Sequence, residues 1–249
     1  MLHSVNSLKS YRLGAVDGEI GRVADLYFDS HEWTARYLVV NTGAWLFGKQ
    51  VLLPAKTLGG VDVADTSIRV NLTLAKIKAS PESDTKPPVS RRDDISRHEY
   101  YGVESEISPW ISLHTPALAA LDRNTLTSSM EIPHGDTRPT GIEADQFNLR
   151  SVHDVIGHTV QGTDREIGTV GDFLVDDADW SIRYFVVNTA IWFGQDVALP
   201  TTAIREVSWD NRSVFINLTR EQVKTAPAYD VTDLSYGELD RQMTAHFSQ

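Results

Sequence analysis

Residues 17–84 of this 249-residue chain return, with one residue deleted, as residues 164–230. Asp17-Gly-Glu19-Ile-Gly21 answers to Asp164-Arg-Glu166-Ile-Gly168, and Arg36-Tyr-Leu-Val-Val-Asn41-Thr42 to Arg183-Tyr-Phe-Val-Val-Asn188-Thr189. Leu53-Pro54 matches Leu199-Pro200, and Asn71-Leu-Thr73 matches Asn217-Leu-Thr219. Roughly 28 of about 67 aligned positions are identical, far beyond chance for unrelated segments, so the chain is a tandem duplication. A feature found in both copies belongs to the ancestral unit, whereas one found in a single copy is a later addition. Each unit, at roughly 70–80 residues, is near the lower limit for a self-sufficient core, so the two copies are expected to support one another.

Inside each copy the pattern is that of short strands. Val23, Asp25, Tyr27 and Asp29 alternate with Ala24, Leu26 and Phe28 ahead of a turn at Ser30-His-Glu-Trp33, and an apolar, β-branched run follows at Tyr37–Thr42. In the second copy Asp176-Asp-Ala-Asp179 and Trp180 mark the same turn, so a hairpin is expected in each. Further strands are expected over 50–53, 58–63 and 67–72. Asp65 and Thr66, like Asp210 and Asn211, supply turn chemistry between the last two. Leu72-Thr73 and Leu218-Thr219 open one- or two-turn helices that stop at Pro81 and Pro227. Ser90-Arg-Arg-Asp93 begins a helix to about Tyr101, for which residues 234–247 are the counterpart. The fold class is therefore all-β: two tandem small antiparallel barrels, each followed by short helices. The first barrel is placed at 1–84, a helix with an irregular connection at 85–144, the second barrel at 145–230 and the C-terminal helix at 231–249.

Both the odd and the even positions of Tyr37-Leu-Val-Val-Asn41 are apolar, and Tyr184-Phe-Val-Val-Asn188 repeats this. A small barrel needs one apolar face per strand for its own interior, so the second face must meet the trailing helix, the sister barrel or a partner. Packing of the copies about a pseudo-twofold axis, with those faces inside, is the expected arrangement.

The loop after that strand carries aromatic residues in both copies: Trp45 and Phe47, then Trp192 and Phe193. They either plug a barrel end or anchor another protein. Gly43-x-x-x-x-Gly48-Lys49 nearly spells a phosphate-binding loop, but Gln50 replaces the hydroxyl residue, a strand follows instead of a helix, and the second copy drops the lysine. The matched polar residues Glu19 and Glu166, Asp25 and Asp172, Arg36 and Arg183, and Asn41 and Asn188 read as ion pairs or turn hydrogen bonds holding a hairpin.

No catalytic residue, cofactor site or metal site is expected. The chain lacks Gly-x-Ser-x-Gly, His-Glu-x-x-His and Gly-x-Gly-x-x-Gly signatures. His153 and His158 stand where the first copy has Asn6 and Tyr11, so they do not form a repeated ligand pair. The net charge of −11 argues against direct nucleic-acid binding. There is no apolar run near the ~18–20 residues that span a bilayer, and the absence of cysteine fits the cytoplasm.

Asp-Gly-Glu-Ile-Gly-x-Val-x-Asp-x-x-Phe-Asp, followed by Trp-x-x-Arg-Tyr-Leu-Val-Val-Asn-Thr and Val-Leu-Leu-Pro, resembles the PRC-barrel family through 11–84 and 158–230. That resemblance implies a six-stranded antiparallel barrel with short terminal helices. The family includes the cytoplasmic part of the photosynthetic reaction-centre H subunit and the C-terminal domain of ribosome-maturation factors. The whole chain is similar to bacterial proteins with two such barrels. What these relatives share is adaptor behaviour, in which a small barrel docks on a protein. The expectation is a non-enzymatic protein-binding adaptor or scaffold whose partner is another protein, with homo-oligomers as one form of that behaviour. The alternatives are a ribosome-assembly factor contacting a ribosomal protein, and a ligand- or ion-responsive regulator with a cleft between the barrels.

Overall fold

The structure, a computed structural model, describes residues 1–80, 91–103, 149–189, 194–230 and 236–247. It divides into one compact unit formed by Met1–Val89 with Asn148–Gln249, which holds both repeats, and a second formed by Ser90–Phe147. In the second unit a helix spans Arg91–Tyr101 and ends on Gly102, whose left-handed backbone (φ 72°) lets Gly102 N and Val103 N close on the carbonyls of Glu99 and His98. Ser90 of the expected capping box, and residues 104–148 of the expected connection, lie outside the described residues.

In the first repeat the strands are β1 (Leu2–Ser4), β2 (Arg12–Ala15), β3 (Gly18–Asp29), β4 (Thr34–Asn41), β5 (Gln50–Pro54), β6 (Leu58–Asp62) and β7 (Ser67–Val70). In the second they are β8 (Leu149–Ser151), β9 (Thr159–Gln161), β10 (Glu166–Asp176), β11 (Ile182–Asn188), β12 (Asp196–Pro200), β13 (Ile204–Ser208) and β14 (Ser213–Ile216). One-turn helices α1 (Val5–Leu8) and α4 (Val152–Val155) follow β1 and β8. Helices α2 (Leu74–Lys78) and α5 (Arg220–Lys224) close the repeats, α3 is the Arg91–Tyr101 helix, and α6 covers Tyr236–Phe247. Thr73 and Thr219 cap α2 and α5 as their positions predict. Asp17 and Asp164 add a second tie by accepting the first helical amides, Leu74 N at 2.8 Å and Arg220 N at 2.9 Å.

The sheets depart from the expected closed, antiparallel, six-stranded barrels in three ways. Their orders are β5-β4-β3-β2-β7-β6 and β12-β11-β10-β9-β14-β13, with no ladder joining the two ends among the described residues. Pro54 and Pro200 end β5 and β12, and a 3-10 turn follows each, bending the chain out of register before the next strand. The β2–β7 and β9–β14 pairs are parallel. Each sheet also gains a seventh strand from the other repeat. β1 pairs with β10 (Leu2↔Asp176, Ser4↔Leu174), and β8 pairs with β3 (Leu149↔Asp29, Ser151↔Tyr27).

The repeats thus exchange their leaders. Two further contacts join them, the first of them reciprocal. At the hairpin tips, Ala35 N donates to Trp180 O (2.8 Å) and Ile182 N donates to Trp33 O (2.6 Å). Trp33 and Trp180 both hold left-handed backbones (φ 52° and 58°), a strained setting for a bulky side chain. Beneath the tips, the Trp33 ring stacks on Phe28 of its own repeat (5.2 Å) and on Phe173 of the other (6.1 Å). Matched residues meeting in reciprocal pairs are the mark of a twofold relation between the copies.

The expectation that the outward face of β11 packs on that of β4 does not hold. All of Tyr37–Val40 and Tyr184–Val187 are buried. On the outward face of β11, Tyr184 and Val186 join Leu2, Leu174, Ala198, Leu239 and Met243 in one cluster. The cover is the exchanged leader and α6, because a three-residue strand and an amphipathic helix suffice to seal one strand face. Phe185 and Val187 alternate to the barrel interior.

Candidate protein-interaction site

The loop from Asn41 to Lys49 is tightly tied. Asn41 Oδ1 accepts Gly43 N at 3.1 Å, and a 3-10 turn runs over Gly43–Leu46. Phe47 N reaches Ala44 O, Gly48 N reaches Gly43 O and Lys49 N reaches Leu46 O, while Thr42 donates its amide and its hydroxyl to Lys49 O. The amides of Gly43, Phe47, Gly48 and Lys49, which a phosphate-binding loop would offer, are spent on groups of the loop itself, which counts against that reading. Phe47 takes a left-handed backbone (φ 56°), and its side chain is 91% exposed. Trp45 is half-buried, and its Nε1–H donates to Ile20 O on β3. The two aromatic residues therefore separate: Trp45 fastens the loop to the sheet and Phe47 presents an apolar ring to solvent. Trp192 and Phe193, their counterparts, lie outside the described residues.

Next to this loop an open cleft of about 440 Å³ runs along Glu19–Arg22 of β3 and Asn41–Trp45. Its wall depends on Gly21, where a Cβ would stand 2.0 Å from Asn41 O; at Gly168 the same atom would stand 2.2 Å from Asn188 O. This close approach is why Glu-Ile-Gly is repeated. Glu19 and Glu166 are exposed.

The other matched polar residues serve two different places. Arg36 lies 3.2 Å from Glu32 and 3.6 Å from Asp29, and Arg183 lies 2.8 Å from Asp179 and 3.7 Å from Asp176. Each arginine is the extra residue of a β-bulge, which turns it toward the hairpin-tip carboxylates and away from Asp25 or Asp172. A second bulge, at Ala24 and Gly171, aims those aspartates at the exchanged leaders. Asp172 accepts hydrogen bonds from the Ser4 hydroxyl, from Asn6 N (3.1 Å) and from Phe173 N (2.8 Å). Asp25 accepts them from the Ser151 hydroxyl, from His153 N (3.4 Å) and from Leu26 N (2.8 Å). Burial pushes both carboxyls above the usual carboxylate range, against the opposing pull of these hydrogen bonds.

Sequence reasoning missed this pair of junction sites. The available signal was a second, shorter repeat, Leu2-His-Ser4-Val5 against Leu149-Arg-Ser151-Val152, outside the aligned segments. His158 is buried edge-on to Trp209, with Arg150 stacked 4.5 Å over the same ring, and burial holds the imidazole pKa down. Among the described residues no group of three or more His, Cys, Asp or Glu side chains could hold a metal ion, and no helix is long and apolar enough to cross a membrane.

The family model described as PRC-barrel domain matches residues 11–75 and 147–223, more than half of the chain and both repeats. The chain belongs to the PRC-barrel family. An uncharacterised protein of Deinococcus radiodurans is 34% identical to it over 87 residues, which are 34% of this chain and 31% of that protein. The match thus spans about a third of that relative's length. Within the PRC-barrel repeats, the family match begins at Tyr11 and so leaves out the leader β1–α1 that the second repeat receives.

Proposed function

We propose that this tandem PRC-barrel protein is a non-enzymatic adaptor or scaffold that binds another protein through the Trp45–Phe47 loop of its first repeat. The observation that carries the reading is the exposure of Phe47 on a loop closed by its own hydrogen bonds. Burying such a ring in a partner's pocket is worth about 1.5–3 kcal/mol. A loop already fixed in shape loses little entropy on binding. The cleft beside it offers Glu19 and Arg22 as polar rim contacts around an aromatic anchor, the usual layout of a binding hot spot. The lack of cysteine supports action in the cytoplasm.

The test is affinity capture from the source organism with wild-type protein and with Phe47→Ala. That substitution removes an exposed side chain and should leave the melting temperature unchanged, so a lost partner reports the surface and not the fold. A partner retained by wild type and reduced at least about tenfold by Phe47→Ala supports the reading. Equal retention by both overturns it. If the captured partner is a ribosomal protein that co-sediments with small-subunit precursors, the adaptor acts in ribosome assembly.

A further inference from the structure

We infer that the leader-binding sites around Asp25 and Asp172 also accept the leader of a second copy of this chain, giving a reciprocal dimer. The inference rests on the junction between repeats and is independent of the Phe47 loop.

Each site is a receptor for a short segment. The C-terminal half of β10 (Leu174–Asp176) takes its second neighbour from β1 of the other repeat, and Tyr27–Asp29 of β3 takes its own from β8. Withdrawing a leader would strip backbone groups of their ladder, expose a carboxylate that holds a serine hydroxyl, and in the second repeat uncover Leu174, Tyr184 and Val186 beneath Leu2. Such an edge is completed by adding a strand. The ligand it takes has a recognisable form: an extended Leu-x-Ser, whose serine both donates to the buried aspartate and caps a one-turn helix carrying two apolar residues. Ser4 accepts Ser7 N (3.1 Å) with Val5 and Leu8 buried, and Ser151 accepts Asp154 N (3.3 Å) with Val152 and Val155 buried.

A second copy meets that description fully. The leaders, the Trp33 and Trp180 tips and the Phe28–Trp33–Phe173 stack all join repeat one to repeat two. Every one of these contacts is reproduced when repeat one of one chain meets repeat two of another, and the reverse. The closed monomer and the exchanged dimer then differ in connectivity, not in contacts. What favours the monomer is the effective concentration that residues 81–148 impose on the two repeats of one chain, so dimer should form as protein concentration approaches it.

The chain has no cysteine, so single cysteines report the exchange cleanly. Asn6 Nδ2 donates to Gly171 O at 3.0 Å across the junction, and a Cβ on Gly171 meets its neighbours at ordinary contact distance. Full-length Asn6→Cys and Gly171→Cys chains, one carrying a mass tag, are refolded together and treated with a short bis-maleimide. Linked heterodimer at about 1 mM protein, falling at least about tenfold at micromolar protein, is the expected result. Asn6→Cys mixed with Asp210→Cys, whose second cysteine lies on an exposed turn, measures chance collision and should give less at both concentrations. The Asn6→Cys/Gly171→Cys double variant, refolded dilute, should link within one chain. Internal linking without linked heterodimer above the collision control overturns the proposal, and failure of the internal link overturns the exchange itself.

Discussion

The hydroxyl of Ser4 donates to the carboxylate of Asp172, a residue 168 positions away and in the other repeat. Ser151 makes the matching bond to Asp25 across 126 positions. Each serine also caps the one-turn helix behind it, so one side chain fixes a leader's local shape and its docking. Ser4→Ala and Ser151→Ala should each lower stability by about 1–3 kcal/mol, the combined cost of a lost cap and an unsatisfied buried acceptor. Ser7→Ala, which removes an exposed hydroxyl on the same helix and leaves the Ser7 amide that Ser4 accepts, should change it little. Urea unfolding of the three variants checks this.

The same two aspartates set a pH dependence of definite sign. Burial raises their carboxyl pKa in the folded chain above the unfolded value of about 3.9. A folded carboxyl with a raised pKa contributes stability that is fully present below the unfolded pKa and is lost as pH rises through the folded one. Asp164 and Asp177 shift the opposite way, so the bare stability curve mixes both signs. The Asp25→Asn/Asp172→Asn variant isolates the raised pair, since the amide still meets the serine hydroxyl and the backbone N–H groups. Wild type should lose stability relative to this variant as pH rises from 4 to 7. A constant difference in unfolding free energy across that range would show that the two carboxyls do not titrate differently on folding.

Trp33 meets Phe173 across the repeats, which makes their coupling a direct measure of the junction. A double-mutant cycle with Trp33→Ala and Phe173→Leu should give a coupling energy of about 0.5–1.5 kcal/mol, the usual range for an aromatic pair beyond its buried area. The cycle is read by denaturant midpoints at constant m-value.

Most of the fold was legible because strand alternation, turn residues and the two threonine caps are local signals, each read twice. The junction was not, because a three-residue strand and a single helical turn are too short to show a period. Ser4 and Ser151 look like ordinary surface residues until the partner aspartates are in view. Which carboxylates Arg36 and Arg183 meet was hidden for a related reason. A bulge inserts one residue into a ladder and reverses where a side chain points, and nothing in the alternation of Tyr27, Phe28 and Tyr37 marks it. In the aromatic loop the sequence offered Trp45 and Phe47 as equivalents. A hydrogen bond from the indole to Ile20 O and a left-handed backbone at Phe47 separate them, and neither is visible in composition.

The repeated glycine of Glu-Ile-Gly gives the sharpest test of the sheet geometry. A Cβ at Gly21 would sit 2.0 Å from Asn41 O, and one at Gly168 would sit 2.2 Å from Asn188 O. Both obstacles are backbone atoms held in the β3–β4 and β10–β11 ladders, so no side chain can swing aside to make room. Gly21 adds a φ of 155°. Gly21→Ala and Gly168→Ala should therefore each cost more than about 2–3 kcal/mol, the range for steric overpacking that backbone must absorb. Gly14, in strand β2, has no atom within 4 Å of the same position, and Gly171 meets only ordinary contacts. Alanine at either should shift stability by no more than about 0.5 kcal/mol. Thermal unfolding of the four variants separates close approach from a general intolerance of alanine: if all four fall together, the cause is that general intolerance of a Cβ in these strands and not the carbonyl oxygens facing Gly21 and Gly168.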